Sequence, residues 1–160
     1  MVEWLAAWND NAPSDLFVRS AKIVKVVDGD TLRVEIDQGF GCTLQTDVRL
    51  LGVDTPEPRG PEAAAGRFVT EQVKTWIACR SNSSQAEGAT VSLTSHVFKM
   101  GKYGRCLCSI WCGDECLNSW LLERELAWVT DKSGSVFGQR DIEILRLPDG
   151  IKQQVREALA

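Results

Sequence analysis

Three short charged motifs stand out because together they carry the residue types of a phosphodiester site. They read VVDGDT at residues 26–31, VRLLGVDTPE at residues 48–57 and KYGR at residues 102–105. Among their residues are the carboxylates of Asp30, Asp54 and Glu57 and the guanidiniums of Arg49 and Arg105. Carboxylate oxygens bind hard divalent cations, and arginine forks bind phosphate oxygens through paired hydrogen bonds. The sequence therefore predicts a site that holds a cation and a phosphate side by side, and a nuclease is the first hypothesis.

The presence of a single histidine, His96, limits the classes of catalytic mechanism that this chain can support. A Ser-His-Asp relay or a multi-histidine zinc site would have to depend on this one residue. It lies in the apolar, β-branched stretch 90–98, where we interpret it as a strand or loop residue without a catalytic role. Catalysis is expected from carboxylates, arginines and a metal ion.

The excess of acidic over basic residues argues against a protein that binds nucleic acid for storage or architecture. The chain has 18 Lys and Arg against 22 Asp and Glu, a net charge of −4. Non-specific binding to nucleic acid depends mainly on cationic side chains that neutralise phosphates. An enzyme tolerates this balance if a bound cation offsets local carboxylate charge, because turnover does not require tight ground-state binding.

Length and composition are those of one globular domain. The chain has 160 residues, of which 44% are hydrophobic and 25% charged. We expect an N-terminal extension over residues 1–20 and a single domain over residues 21–160. No run of about 18 apolar residues indicates a membrane span, and no secretory signal is evident. We therefore expect a monomer in the cytoplasm rather than a secreted protein.

Six cysteines allow more than one interpretation. The last four follow the spacing C-x-C-x3-C-x3-C, at Cys106, Cys108, Cys112 and Cys116. A zinc-binding structural domain is one alternative, but the paired C-x2-C spacing typical of zinc sites is absent. A Cys112–Cys116 disulfide would require an oxidising compartment. We expect reduced structural thiols, with Cys106 and Cys108 on one face of a strand.

The predicted elements are five strands and three helices. One helix lies between the third and fourth strands, and two follow the fifth. Alternating or β-branched runs predict strands at residues 21–27, 31–36, 43–51, 90–97 and 105–111. Helices are predicted at residues 60–79, 116–126 and 151–160, the first with a buried stripe of Val69, Val73, Trp76 and Ile77. The fold class is therefore mainly β with α (α+β). We expect a five-stranded OB-fold barrel with about three packed helices, an architecture that commonly binds nucleic acid.

The order of these motifs resembles the staphylococcal nuclease (thermonuclease) family. It runs D-G-D-T, R-L-L-G-V-D-T-P-E, G-P-E-A at the start of a helix, K-Y-G-R, and L-N about a dozen residues later. Identity, order and spacing agree over residues 21–129. The resemblance implies a Ca²⁺-dependent phosphodiesterase that cuts DNA and also RNA by in-line attack of water and leaves 3′-phosphate ends.

The resemblance also implies residue roles. Asp30, Asp54 and the backbone carbonyl of Thr55 would hold Ca²⁺, and Arg49 and Arg105 would grip the scissile phosphate. Glu57 would position or deprotonate the attacking water. Three further residues would bind substrate: Lys102 and Tyr103 at a terminal nucleotide phosphate, and Trp128 near the nucleotide pocket.

Two departures from the family pattern bear on substrate handling. Gly101 stands where aspartate is common, and the loop between Glu57 and Gly60 is short. The alternative function is a weakly catalytic or non-catalytic nucleic-acid-binding module that has kept the motifs.

Overall fold

Five strands of the chain form a closed barrel. The computed structural model of the protein describes residues 18–100, 105–131 and 135–160, with residues 96–100 described by their backbone only. The strands are β1 (Val18–Val26), β2 (Thr31–Gly39), β3 (Cys42–Leu50), β4 (Val53–Asp54), β5 (Thr90–Met100), β6 (Cys106–Cys112), β7 (Glu115–Cys116) and β8 (Trp128–Val129). The barrel strands follow the order β3-β2-β1-β5-β6, and β3 pairs with β6 to close it.

The closing contact sets which residues meet at one edge of the barrel. Neighbouring strands are antiparallel except for β3 and β6, which run parallel with Arg49 opposite Leu107. On its other side β3 pairs with β2, and Arg49 lies opposite Thr31. The strands β4 and β8 form a separate two-stranded sheet in which Asp54 lies opposite Trp128.

Three helices pack outside the barrel. They are α1 (Ala63–Arg80), α2 (Leu117–Glu123) and α3 (Asp149–Leu159), and single 3₁₀ turns cover Gly60–Glu62 and Ile142–Ile144. The predicted stripe of α1 is buried, since Val69, Val73, Trp76 and Ile77 are at most 2% exposed. These side chains join the inward residues of β1 and β2, such as Ile23 and Val34, in one core. Each such side chain contributes roughly 1.5–3 kcal/mol by its burial.

The predicted fold class is confirmed: the protein is an α+β protein, and its described residues form a five-stranded barrel of the OB-fold type and three helices. The five predicted strands and three predicted helices are present, with ends that differ by a few residues. The second helix was predicted over residues 116–126 but ends at Glu123, because the chain then turns into β8. The pairing of β4 with β8 was not predicted, since two-residue strands carry no alternating pattern.

The cysteines, all of which lie in described segments, are free thiols. Cys108 is buried and Cys106 partly buried, as expected for small apolar residues of β6. Cys116 aligns with Trp111 rather than with Cys112. Within the described residues, no helix is long and apolar enough to cross a membrane.

Candidate active site

The turn between β1 and β2 positions Asp30. The Oδ1 atom of Asp28 accepts a hydrogen bond from the Asp30 amide at 3.1 Å, and the Asp28 amide donates to the Thr31 carbonyl at 3.2 Å. Asp28 is therefore the turn-capping residue that its place before glycine predicts. A Cβ at Gly29 would lie 2.7 Å from Oγ1 of Thr55, so only glycine lets this turn pack against Thr55.

The Asp30 carboxylate is buried, and both of its oxygens are engaged. Its Oδ2 accepts hydrogen bonds from the amide of Thr55 at 2.8 Å and from the Thr55 hydroxyl at 3.1 Å. Its Oδ1 accepts from the Thr31 hydroxyl at 3.2 Å and lies 3.1 Å from Nη1 of Arg49. Buried carboxylates need ion pairs and hydrogen bonds, and these contacts supply both to Asp30.

Arg49 bridges the two buried aspartates. Its Nη1 lies 3.1 Å from Asp30 Oδ1, and its Nη2 donates to Asp54 Oδ1 at 2.6 Å. Burial alone would lower the pKa of Arg49, but the charges of Asp30 and Asp54 outweigh burial and raise the pKa. The side chain is 20% exposed, so the guanidinium remains accessible at the barrel edge.

Arg105 reaches the same edge from the start of β6. Its Nη1 donates to Oγ1 of Thr31 at 3.1 Å, and Thr31 in turn donates to Asp30. The pairing of β3 with both β2 and β6 explains this convergence, because it aligns Thr31, Arg49 and the first residues of β6. Two guanidiniums and a buried carboxylate thus belong to one connected network.

Asp54 lies between two arginines. The residue is 5% exposed, and burial is the main cause that raises its pKa, while the positive charge of Arg140 opposes the rise. Its Oδ1 binds Arg49, and its Oδ2 lies 2.8 Å from Nη1 of Arg140. That second contact is an ion pair without hydrogen-bond geometry, so the buried Oδ2 has no hydrogen-bond donor among the described residues. This oxygen keeps lone pairs available for another ligand.

Arg140 is a site residue that the sequence motifs did not indicate. While its Nη1 contacts Asp54, its Nη2 binds Oε2 of Glu62 at 2.7 Å and approaches the Thr55 carbonyl oxygen at 3.5 Å. Its guanidinium carbon lies 4.6 Å from the ring centre of Trp128, which is cation–π distance. Arg140 follows a glycine and a glutamine in an irregular segment, a context with no motif that could have identified it.

Glu57 is exposed beside this network. Its amide donates to Oε2 of Glu62 at 3.1 Å, the same oxygen that accepts from Arg140. Pro56 and Pro58 flank it and restrict the backbone of the loop. Glu62 therefore connects the loop that carries Glu57 to the cluster of arginines and aspartates.

Of the three predicted substrate-binding residues, the structure describes Trp128 alone. Trp128 is 3% exposed, its Nε1 donates to the Asp141 carbonyl at 3.1 Å, and Arg140 covers its ring. The ring thus has no open face for a base in this arrangement. Lys102 and Tyr103 lie outside the described residues.

The oxygens at the centre of the network suit a hard cation. The predicted ligands are two carboxylates and one backbone carbonyl, at Asp30, Asp54 and Thr55. No group of three or more His, Cys, Asp or Glu side chains within the described ranges could hold a metal ion. The neighbouring Asp28 carboxyl is also perturbed. Its burial, and to a smaller extent the negative charge of Asp30, raises the pKa of Asp28 to about 6.

The barrel and this network together define an OB-fold protein with a buried carboxylate–guanidinium cluster at one edge of the barrel. A family model described as staphylococcal nuclease homologue matches residues 47–155, more than half of the chain. The chain therefore belongs to the staphylococcal nuclease homologue family, and the resemblance drawn from its motifs is confirmed.

Two curated relatives are named thermonucleases. The thermonuclease of Staphylococcus hyicus is 32% identical over 109 residues, which cover 66% of this chain and 56% of that protein. The thermonuclease of Staphylococcus intermedius is 31% identical over 117 residues, or 71% of this chain and 61% of that protein. The chain thus matches only about 56 to 61% of the length of these relatives.

Proposed function

We propose that this protein is a nuclease that hydrolyses phosphodiester bonds of DNA and also of RNA, with Ca²⁺ as its metal ion. The observation that carries the proposal is the Arg49 fork, which binds Asp30 at 3.1 Å and Asp54 at 2.6 Å and remains partly exposed. Membership of a family whose curated relatives are thermonucleases supports it. As the family resemblance implies, the products would carry 3′-phosphate ends.

The oxygen set fits calcium. Ca²⁺ takes about six to eight oxygen ligands in flexible geometry, and carboxylates, a backbone carbonyl and water can supply them. Asp30, Asp54 and the Thr55 carbonyl are the proposed protein ligands. The buried Oδ2 of Asp54, which lacks a hydrogen-bond donor among the described residues, supports the fit. Calcium bound here would act as a Lewis acid on a phosphate oxygen.

Arg49 and Arg105 are the proposed phosphate ligands. Guanidinium groups as a class stay protonated at every working pH, and their planar forks can donate two parallel hydrogen bonds to a phosphate. Arg49 is oriented by Asp30 and Asp54, while Arg105 is oriented through the Thr31 hydroxyl. Donors oriented in advance stabilise the negative charge that develops on the phosphate oxygens without reorganising during the reaction.

Glu57 is the proposed residue that orients the attacking water or accepts its proton. Orientation of the water is the more important contribution, because carboxylates are weak bases at neutral pH and a positioned water reacts faster. The tether of its amide to Glu62 and the two flanking prolines restrict where its side chain begins. Lys102 and Tyr103 remain proposed contacts for a terminal nucleotide phosphate.

Cleavage assays with calcium and matched variants test the proposal. The purified protein is incubated with plasmid, single-stranded DNA and RNA in Ca²⁺, in Mg²⁺ and in a chelator. We expect cutting in Ca²⁺ that the chelator abolishes, and a loss of about 10²- to 10³-fold in Arg105→Gln. A 3′-phosphate product would not prime a polymerase until a phosphatase has treated it.

Control variants separate the site from general surface effects. Glu57→Gln is compared with Glu71→Gln, whose carboxylate pairs with Lys74 on the exposed face of α1. Arg105→Gln is compared with Arg146→Gln, which removes an exposed pair with Glu125. Cutting that needs no added metal, or that is equally fast in the site variants, would contradict the proposed mechanism. Binding without cutting by the parent protein would favour a binding module instead.

A further inference from the structure

Arg140 occupies the position from which a cation would contact two of the three proposed calcium ligands. Its Nη1 lies 2.8 Å from Asp54 Oδ2, and its Nη2 lies 3.5 Å from the Thr55 carbonyl oxygen. We infer that Arg140 is an internal cation that neutralises these ligands in the metal-free protein and competes with calcium for them. The inference rests on the proposed function, because calcium is the competitor.

The contact geometry suits an exchangeable cation. The ion pair with Asp54 Oδ2 has no hydrogen-bond geometry, and the contact with Thr55 is at the outer limit of hydrogen bonding. Arg140 therefore offsets the charge of a buried carboxylate without filling the lone pairs of Asp54 Oδ2, and its hydrogen bond to the Thr55 carbonyl is long. A divalent ion can bind the same oxygens with more charge and closer contact, so exchange is favourable once calcium is abundant.

Arg140 also has anchors that do not involve the proposed ligands. Its Nη2 binds Glu62 Oε2 at 2.7 Å, and its guanidinium lies 4.6 Å from the centre of the Trp128 ring. The side chain is 34% exposed and belongs to an irregular segment. A small shift can therefore release Asp54 while the guanidinium keeps Glu62 and Trp128.

Asp54 does not lose its other partner in this exchange. Arg49 binds the opposite oxygen, Oδ1, at 2.6 Å. The aspartate thus presents one oxygen to a fixed arginine and the other to a replaceable cation. This division of roles predicts that the two arginines differ in their effect on calcium binding: removing Arg49 disorders the ligands, whereas removing Arg140 exposes one.

Calorimetric titration with calcium chloride in the absence of nucleic acid tests the inference. We expect Arg140→Gln to bind Ca²⁺ about three- to tenfold more tightly than the parent, because one partly exposed ion pair and its positive charge are removed. Arg140→Lys keeps the charge but not the fork, so an intermediate affinity is expected. Arg146→Gln is the matched control, since its ion pair with Glu125 is exposed and outside the network, and its affinity should equal that of the parent.

Thermal unfolding gives a second readout that does not depend on activity. In chelator, Arg140→Gln should melt below the parent, because Asp54 then has a buried oxygen without a counter-charge. Added calcium should raise its midpoint more than that of the parent, since a ligand that binds only the folded state stabilises it by an amount that grows with the logarithm of its affinity. If Arg140→Gln does not fold in chelator, the titration is made with Arg140→Lys, for which tighter binding than in the parent is still expected.

The outcomes distinguish this inference from the proposed function. Calcium binding by the parent that is unchanged or weaker in both Arg140 variants overturns the competition and leaves the proposed nuclease intact. No calcium binding by the parent or by the variants overturns both the competition and the choice of metal. Tighter binding in Arg146→Gln as well would overturn the competition too, because a general charge effect would then explain the result.

Discussion

The backbone of Glu57 lies directly against Gly66 of α1. A Cβ at position 66 would be 2.2 Å from the carbonyl carbon of Glu57 and 2.4 Å from the nitrogen of Pro58. These atoms belong to a backbone held between two prolines, so they cannot move aside as a flexible side chain would. The helix therefore determines where the proposed water-orienting loop runs.

Gly66→Ala should displace this loop even though alanine favours helix. We expect an overpacking cost of about 1–3 kcal/mol in the free energy of unfolding, and a cleavage rate at least about tenfold lower because small misplacements are costly in catalysis. Thermal unfolding and steady-state cleavage in saturating calcium measure the two effects. Gly150→Ala in α3 is the control, since a Cβ there meets nothing within 4 Å. An unchanged rate in Gly66→Ala would mean that the position of Glu57 does not matter.

Arg49→Lys should reduce kcat strongly. An ammonium group cannot bridge Asp30 and Asp54 and also present a planar fork to phosphate. We expect kcat to fall by about 10²- to 10³-fold, the usual effect of losing a transition-state donor. Arg33→Lys is the control, because its fork binds Asp47 on the exposed side of β2 and β3. Equal rates for Arg49→Lys and the parent would remove Arg49 from the mechanism.

Asn118→Ala should destabilise the protein without involving the site directly. The Asn118 side chain is 1% exposed, accepts from the Ile110 amide at 3.2 Å, and donates to the carbonyls of Leu51 and Cys108 at 2.9 and 3.0 Å. Its loss removes hydrogen bonds from three buried backbone groups, of which the Cys108 carbonyl keeps the Leu51 amide as a donor, at a cost of about 2–4 kcal/mol.

Denaturant titration or calorimetry measures this loss. For a domain of this size the midpoint of thermal unfolding should fall by roughly 5–15 °C. Ser119→Ala, the next residue in α2, should change the free energy of unfolding by less than about 0.5 kcal/mol. A loss in Asn118→Ala no larger than in this control would show that the three hydrogen bonds do not join β6 to the β3–β4 connection.

The thiols should differ in reactivity in the native protein. Cys42 and Cys79 are exposed, whereas Cys108 is buried, and burial raises the pKa of the Cys108 thiol well above its usual value. Because the thiolate is the reactive form, iodoacetamide at pH 8 should modify Cys42 and Cys79 first and Cys108 last. Peptide mass mapping over time measures the order, and all six thiols should react in denaturant. Early labelling of Cys108 in the native protein would contradict its burial.

The local spacing of apolar residues was sufficient to predict the barrel strands and α1. The alternation of β1 and β2 and the stripe from Val69 to Ile77 report directly which side of an element is buried, so no long-range information was needed. The second helix was predicted too long because Leu126 continues the apolar spacing. That residue is buried after the chain has left the helix and turned toward β8.

The sequence by itself determined the family, the fold class and the aspartates and arginines of the three motifs, because residue identity at fixed spacing records the chemistry. Only the tertiary structure decided the partners of Asp54. The contact between Thr55 and Arg140 spans 85 positions of the chain, and it depends on the short β4–β8 pairing, which places Trp128 beneath the guanidinium. Pairing of two-residue strands and stacking of a loop arginine leave no periodic signal. Neither the contacts of Arg140 nor the burial of Trp128 could therefore be inferred from the sequence.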